Sequence, residues 1–221
     1  MSNTEGKEQY LIPATFIDSD HPRVIEYTQK HTDDRNTAVE NAVQLYYAVR
    51  DEFRYSPYKV DLRPEAMKAS NLLTRDYGYC IEKACLLAAC TRVIGIPSRL
   101  CFANVKNHIA TERLEEKLGS NVLIFHGYTE LFLEGKWVKV TPAFNRSLCD
   151  KLGVAPLEFN GKDDSIFQEY DEQGGQFMEY LHYYGHFNDI PRDLFIAELE
   201  KHYPHVFGKD NTLGERYVFE F

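Results

Sequence analysis

The sequence Gly78-Tyr79-Cys80-Ile81-Glu82-Lys83-Ala84 places a cysteine at the start of a long apolar segment. Residues 80–93 are mostly good helix formers, and no glycine or proline interrupts them before Gly95. Apolar residues lie on every side of this predicted helix, which indicates that it is largely buried. The sequence therefore predicts a core organised around a helix that begins at Cys80.

Cys80 is a candidate nucleophile because of its position in this helix. A thiol in the first helical turn faces unpaired backbone N–H groups and the positive end of the helix dipole. Both favour the thiolate, so we expect the pKa of Cys80 to fall below the ordinary value of about 8.5.

A predicted β-hairpin downstream supplies a histidine. Residues 121–133 alternate and are rich in strand formers, residues 134–136 form a short turn, and residues 137–141 form a second strand that ends at a proline. His126 lies on the first strand and Thr141 at the end of the second, so the hairpin brings them close together. A cysteine at a helix start and a histidine on an adjacent strand is the usual arrangement of a thiolate–imidazolium pair.

These motifs, in this order, resemble the transglutaminase-like superfamily. They are Gly78-Tyr79-Cys80 with the helix after it, Gly95-Ile96-Pro97-Ser98-Arg99, the histidine strand, and Trp137-Val138-Lys139-Val140-Thr141-Pro142. The motifs cover roughly residues 71–145, and the chain is most similar to small bacterial-type members. The resemblance implies an α+β fold with a papain-like or transglutaminase-like core, in which the catalytic helix packs against an antiparallel β-sheet.

The resemblance also implies roles for individual residues. Cys80 matches the family's nucleophile and His126 its base, whereas the family's aspartate falls on Thr141. A threonine hydroxyl can accept a hydrogen bond from the imidazole but supplies no charge, so we expect a lower pKa for His126 than beside a carboxylate. Asn145 is a second candidate for orienting His126, and Glu130 is a third because it shares a strand face with His126.

The expected reaction is cysteine-dependent acyl transfer or amide hydrolysis on a peptide or protein amide, with hydrolysis favoured. Cys80 would attack the carbonyl and His126 would protonate the leaving amine. The backbone N–H of Cys80 and a second donor, for which Asn71 is a candidate, would stabilise the oxyanion. Because Thr141 replaces the acid, a catalytically impaired binding or scaffold module is the alternative. Hydrolysis of a glycan–asparagine amide, as in deglycosylating relatives, is a third hypothesis.

Composition bounds these hypotheses. The chain has 221 residues, 43% of them hydrophobic, which suits one transglutaminase-like domain over residues 1–221 with aromatic-rich elements wrapping the core after residue 146. The formal net charge of −9 argues against general nucleic-acid binding. The sequence has no apolar run long enough to span a membrane and begins with a polar segment, so we expect a cytoplasmic protein. The sequence leaves the oligomeric state open.

No cofactor or metal is expected. Cys80, Cys85 and Cys90 are spaced five apart, so each step turns about 140° around the helix axis and the three thiols share no face. Cys85 and Cys90 are therefore predicted to be small core residues. His182 and His186 are four apart on a predicted helix and could touch one metal, but packing among aromatic residues is the favoured interpretation.

Periodicity and turn residues outline the remaining elements. Asp20 is the predicted N-cap of the first helix, and Pro64 the start of a short third one. Arg99, on a predicted strand, is expected to pair with a carboxylate. The predicted helices cover residues 22–31, 38–53, 63–73, 177–185 and 192–201, the strand covers residues 98–105, and a polar helix or loop covers residues 110–118.

Overall fold

The computed structural model of the protein describes residues 6–108, 112–167, 178–207 and 217–220. The helices are α1 (Pro22–Lys30), α2 (Ala38–Glu52), α3 (Ala69–Leu72), α4 (Cys80–Val93), α5 (Glu112–Leu118), α6 (Arg146–Leu152), α7 (Arg192–His202) and α8 (Pro204–Phe207). The strands are β1 (Arg54–Tyr55), β2 (Lys59–Asp61), β3 (Tyr77–Gly78), β4 (Ser98–Asn107), β5 (Val122–Leu133), β6 (Lys136–Val140), β7 (Met178–Phe187) and β8 (Val218–Glu220).

Helix α4 is the centre of the molecule, as its sequence predicts. Every residue from Cys80 to Arg92 is buried. The helix packs against β5 and β4 on one side and contacts α1, α2 and α3 elsewhere on its surface. The predicted boundaries of α4 are confirmed, because the Cys80 start and the glycine stop signal both act locally on the backbone.

Strands β6, β5, β4 and β7 form one antiparallel sheet in that order. The predicted hairpin is confirmed, with Thr129 opposite Val140 and Leu133 opposite Lys136. Its two-residue turn places Glu134 and Gly135 at φ 47° and 89°, as a tight turn between right-twisted strands requires. Two smaller pairs complete the strands, β1 parallel with β3 and β2 antiparallel with β8.

The helix predicted over residues 177–185 is wrong. Residue 177 lies outside the described residues, and residues 178–185 belong to strand β7, which pairs with β4 along its length. Its tyrosines and phenylalanines favour a strand, Gly185 disfavours a helix, and the second edge of β4 offers the hydrogen bonds. His182 and His186 lie opposite Asn104 and Cys101 in the ladder, so the helical spacing that would have brought the two imidazoles together does not exist.

Two other local predictions also need correction. The helix predicted over residues 63–73 is reduced to α3, and the stretch before it forms turns, in which the carboxylate of Asp61 accepts the backbone N–H of Arg63 at 3.0 Å. The N-cap of α1 is His21 instead of Asp20, and its Nδ1 accepts the N–H of Arg23 at 3.2 Å. The structure confirms α1, α2, α7 and β4 within a few residues of their predicted ends.

A buried lysine ties the layers together. Lys83 lies one turn into α4, and its Nζ donates to the carbonyl oxygens of Arg50 at 2.8 Å, Phe53 at 2.7 Å and Ala143 at 2.7 Å. The three acceptors match the three protons of an ammonium group, although burial lowers the pKa of Lys83 to about 7. Lys83 thereby fixes the end of α2 and the loop after β6 to the central helix.

Candidate active site

Cys80 lies in the first turn of α4 and is 8% exposed. The backbone N–H groups of Gly127, Ile81 and Cys80 point to its sulfur and favour the thiolate. Burial outweighs them and raises the pKa of Cys80 to about 11, so the predicted fall in this pKa is wrong. Backbone N–H groups and the helix dipole favour the thiolate, but the apolar surroundings that the rest of the fold packs around the sulfur penalise it more strongly.

A charged network holds the turn that carries Cys80. The carboxylate of Glu82 accepts the backbone N–H of Tyr79 at 3.0 Å and pairs with the Arg75 guanidinium. Burial raises the pKa of Glu82 to about 7, and the Arg75 charge opposes that rise. Asn71 belongs to this network, because its Oδ1 accepts from Arg75 at 2.6 Å, and it does not line the cavity beside Cys80. The structure therefore gives Asn71 a supporting position instead of the predicted one at the oxyanion.

Gly127 allows the helix and the histidine strand to approach closely. A Cβ at this position would lie 3.0 Å from Cγ1 and 3.2 Å from Cα of Ile81. The backbone contact cannot yield by a side-chain rotation, so only glycine fits without moving α4. This approach brings the Cys80 sulfur to the N–H of the residue that follows His126.

An irregularity in β5 sets the backbone just before His126. The register between β4 and β5 shifts between Ala103 and Val105, and Phe125 adopts φ 63°, which is unusual for a bulky residue. The side chain of Asn104 stabilises this conformation, because its Oδ1 accepts the N–H of Phe125 at 3.0 Å. Strained backbone of this kind is often found at functional sites, since it fixes the direction of a neighbouring side chain.

The imidazole of His126 is buried and uncharged at neutral pH. It is 2% exposed, and its ring lies 5.7 Å from that of Phe167. Among the residues that the structure describes, none forms a hydrogen bond with its Nε2. Burial lowers the pKa of His126 to about 4. With a thiol of raised pKa and an imidazole of lowered pKa, proton transfer from Cys80 to His126 is unfavourable in this state.

Thr141 lies directly after β6 and is buried. Its N–H donates to the carbonyl of Ser165 at 2.9 Å, while its Oγ1 has no hydrogen-bond partner in the described ranges of the chain. The hydroxyl of Tyr180, on β7, is also buried. It faces the backbone of Phe167 and the Thr141 hydroxyl, and within the described residues it makes no hydrogen bond of good geometry. Tyr180 is missing from the predicted site because a helix is predicted for its segment. The tyrosines around it and Gly185, which favour a strand over a helix, are the signal that could have placed it here.

The two alternative orienting residues are engaged elsewhere. Asn145 accepts the backbone N–H of Tyr55 at 2.9 Å and donates to the Ser147 hydroxyl at 2.7 Å. Glu130 accepts from Nε of Arg99 at 2.6 Å, which confirms the carboxylate partner predicted for Arg99. Both side chains are thus held by other partners, and neither lines the cavity that Cys80 and His126 share.

Cys80 and His126 line one cavity of about 80 Å³. We call it the apolar cavity, because nearly all of its other walls are apolar. They come from α5, the first half of β5, α7, α8 and the loops around β1 and β2: Tyr55, Pro57, Val60, Tyr79, Ile81, Leu114, Leu118, Leu123, Ile124, Phe125, Phe195, Leu199, Tyr203 and Phe207. Among the lining residues that the structure describes, none is acidic and His126 is the one basic residue.

Two further searches cover only the described part of the chain. Within it, no three His, Cys, Asp or Glu side chains are grouped so that they could hold a metal ion. None of its helices combines the length and the apolar character needed to cross a membrane.

Comparison with protein families supports the resemblance seen in the motifs. A sequence profile of the transglutaminase-like superfamily matches residues 25–142, which is more than half of the chain and includes Cys80, His126 and Thr141. A search of curated proteins finds no match for this sequence.

Solved structures show where the same fold occurs. A proposed cysteine protease from Cytophaga hutchinsonii matches at 16% identity and a TM-score of 0.50, covering 64% of this chain and 43% of that one. A proposed protease from Parabacteroides distasonis matches at 17% identity and a TM-score of 0.40, covering 61% of this chain and 26% of that one. This chain therefore spans less than half the length of either protein. The first match confirms the predicted α+β, papain-like or transglutaminase-like fold.

Proposed function

This chain belongs to the transglutaminase-like superfamily, and on that premise we propose that it is a cysteine-dependent enzyme acting on amide bonds of peptides or proteins. Cys80 is the nucleophile and His126 the general base. One observation carries the proposal: the sulfur and the imidazole line the same cavity, and the sulfur lies against the N–H of Gly127, next to His126.

The reaction begins from an uncharged pair. Because burial keeps the thiol protonated and the imidazole neutral, His126 removes the thiol proton while the sulfur attacks the carbonyl carbon, instead of beforehand. The charges that form in this step stabilise each other, since the imidazolium and the oxyanion appear together in a site of low dielectric. The backbone N–H of Cys80 is a donor for the oxyanion.

The second half of the reaction returns the proton. The imidazolium of His126 protonates the leaving amine as the C–N bond breaks, which leaves an acyl group on the Cys80 sulfur as a thioester. Water then attacks the thioester with His126 again as base, and the carboxylic acid and the thiol are released. An amine in place of water would give transfer instead of hydrolysis.

Thr141 and Tyr180 take the place of the orienting carboxylate in this proposal. Within the described part of the chain both hydroxyls and Nε2 of His126 are buried without a hydrogen-bond partner, and leaving such groups unpaired costs about 1–3 kcal/mol each. A hydroxyl that accepts from Nε2 selects the tautomer in which Nδ1 is the base, and it adds no charge.

Peptide hydrolysis tests the proposal. Against a library of amide-linked fluorogenic peptides, Cys80→Ser and His126→Asn should each lower kcat/KM by about 10³-fold or more, because the two groups act as one unit. Cys149→Ser is the matched control, since this buried cysteine on α6 lies outside the cavity. If all three variants hydrolysed the peptides with equal activity, Cys80 would not be the nucleophile.

A binding or scaffold module is the second candidate function. The neutral pair and the missing carboxylate favour it, because neither group is charged for catalysis in the resting state. In that case Cys80→Ser would bind its peptide partner with unchanged affinity, and no peptide would be cleaved by the parent protein. Cleavage that Cys80→Ser abolishes excludes this alternative.

A further inference from the structure

The apolar cavity points to the chemistry of the substrate. We propose that it receives one uncharged aliphatic side chain on the acyl side of the amide bond that Cys80 attacks. This inference rests on the proposed function, because it assumes that a carbonyl reaches the Cys80 sulfur.

The composition of the walls excludes a charged group. Leu114 and Leu118 of α5 and Phe195 and Leu199 of α7 line the cavity, and among the residues that the structure describes no carboxylate, lysine or arginine lines it. Moving an ionised group into such surroundings without a partner is strongly unfavourable. The same walls offer an aliphatic group mainly apolar contact.

The polar atom on the α7 side of the cavity is the hydroxyl oxygen of Tyr203, and its hydrogen bonds are already made within the protein. The Tyr203 hydroxyl accepts the N–H of Ile124 at 3.1 Å and donates to the carbonyl of Val122. It is therefore committed to fixing the β5 backbone ahead of the Phe125 irregularity. Tyr203 adds its ring to the wall without offering the ligand a hydrogen bond.

The volume of the cavity selects the size of the group. At about 80 Å³ it is larger than one water molecule needs. It is smaller than the apolar cavity of about 150 Å³ that admits a benzene ring. A branched aliphatic group such as isobutyl fits between these limits, whereas an aromatic side chain does not.

Alkyl methanethiosulfonates test this inference without requiring turnover. The Cys80 thiolate attacks the sulfenyl sulfur, forms a mixed disulfide that carries the alkyl group, and releases methanesulfinate. The alkyl group then occupies the position that the acyl group of a substrate would take. Rates of modification at Cys80 are measured by peptide mapping at pH 8.5 for methyl, isobutyl, benzyl and carboxyethyl reagents.

We expect the isobutyl reagent to modify Cys80 at least about tenfold faster than the methyl, benzyl and carboxyethyl reagents, with a rate that saturates. Leu199→Trp, which fills the cavity, should remove the isobutyl advantage, so that the isobutyl and methyl reagents modify Cys80 at similar rates. Leu194→Trp is the matched control on the exposed face of α7, where the side chain is 38% exposed. Leu118→Ala enlarges the cavity and should move the preference to the benzyl reagent. This variant also tests the inference if Leu199→Trp does not fold.

The outcomes separate this inference from the proposed function. Fast modification by every reagent at similar rates would overturn the aliphatic site and leave the Cys80 nucleophile standing. A preference for the carboxyethyl reagent would also overturn it. Failure of every reagent to modify Cys80 would overturn the proposed function itself, because no acyl group could then reach the sulfur.

Discussion

Burial sets the charge state of both groups at the candidate site. It raises the pKa of the Cys80 thiol to about 11 and lowers that of the His126 imidazole to about 4, so both are neutral between these values. The residue types and their order could be predicted from the sequence. The direction of the Cys80 shift could not, because it depends on how much apolar surface the rest of the fold packs around the sulfur.

His126 should make the protein less stable in acid. Its pKa is about 4 when folded and about 6.5 when unfolded, so the unfolded chain binds more protons between these values. The contribution of His126 to the free energy of unfolding is complete above pH 6.5. As the pH falls toward 4, the free energy of unfolding decreases by about 3 kcal/mol in total. Between pH 7 and pH 4, the free energy of unfolding of His126→Gln should therefore fall by about 3 kcal/mol less than that of the parent protein. Urea denaturation at the two pH values measures both changes. Identical losses in both proteins would show that His126 is not buried as a neutral ring.

Thr141→Asp should restore a charge next to the imidazole. A carboxylate beside Nε2 stabilises the imidazolium, so the pKa of His126 should rise from about 4. The acidic limb of the kcat/KM profile should move to higher pH by one unit or more. Thr141→Asn, which is similar in size and uncharged, is the control and should leave the limb in place. A limb that moves equally in both variants would contradict the assigned position of Thr141.

At the scale of elements, the close approach of α4 and β5 creates the site. Helix boundaries and the β5–β6 hairpin could be predicted, because capping, turn residues and periodicity act locally. Strand β7 could not, since its pairing with β4 depends on contacts far away in the chain. The same error hid Tyr180, which comes to face Thr141 only when residues 178–187 form a strand.

Gly127→Ala tests this approach. The added Cβ would meet the Ile81 backbone at 3.2 Å and push the start of α4 away from β5. We expect kcat/KM to fall by about 10- to 100-fold and stability by about 1–3 kcal/mol. Gly153→Ala, at the α6 C-cap with φ 67°, should cost about 1 kcal/mol without loss of activity. Equal activity losses in the two variants would mean that the effect of Gly127→Ala is general destabilisation.

At the scale of the whole molecule, a buried lysine joins segments that are distant in sequence. Lys83 connects α2, the chain entering β1 and the loop after β6, all through backbone carbonyls. A buried lysine inside an otherwise apolar helix is visible in the sequence. Its three acceptors are not, because carbonyl positions follow from the tertiary fold and not from side-chain identity.

Lys83→Met should destabilise the protein by about 3 kcal/mol, because it leaves three buried carbonyls without a donor. The expected fall in Tm is about 5–10 °C for a chain of this size. Lys151→Met, at an exposed position on α6, is the control and should change Tm by less than about 2 °C. Calorimetry of the parent protein and both variants measures the three Tm values. A Tm for Lys83→Met equal to that of the parent would contradict the bridging role.

The central claim is that the Cys80 sulfur forms an acyl bond with help from His126. Acid-quenched mass spectrometry after mixing with an activated peptide ester measures this directly. We predict a thioester mapped to Cys80, which forms at least about 100-fold more slowly in His126→Asn. No adduct at Cys80, or an adduct that forms equally fast without the imidazole, would contradict the account.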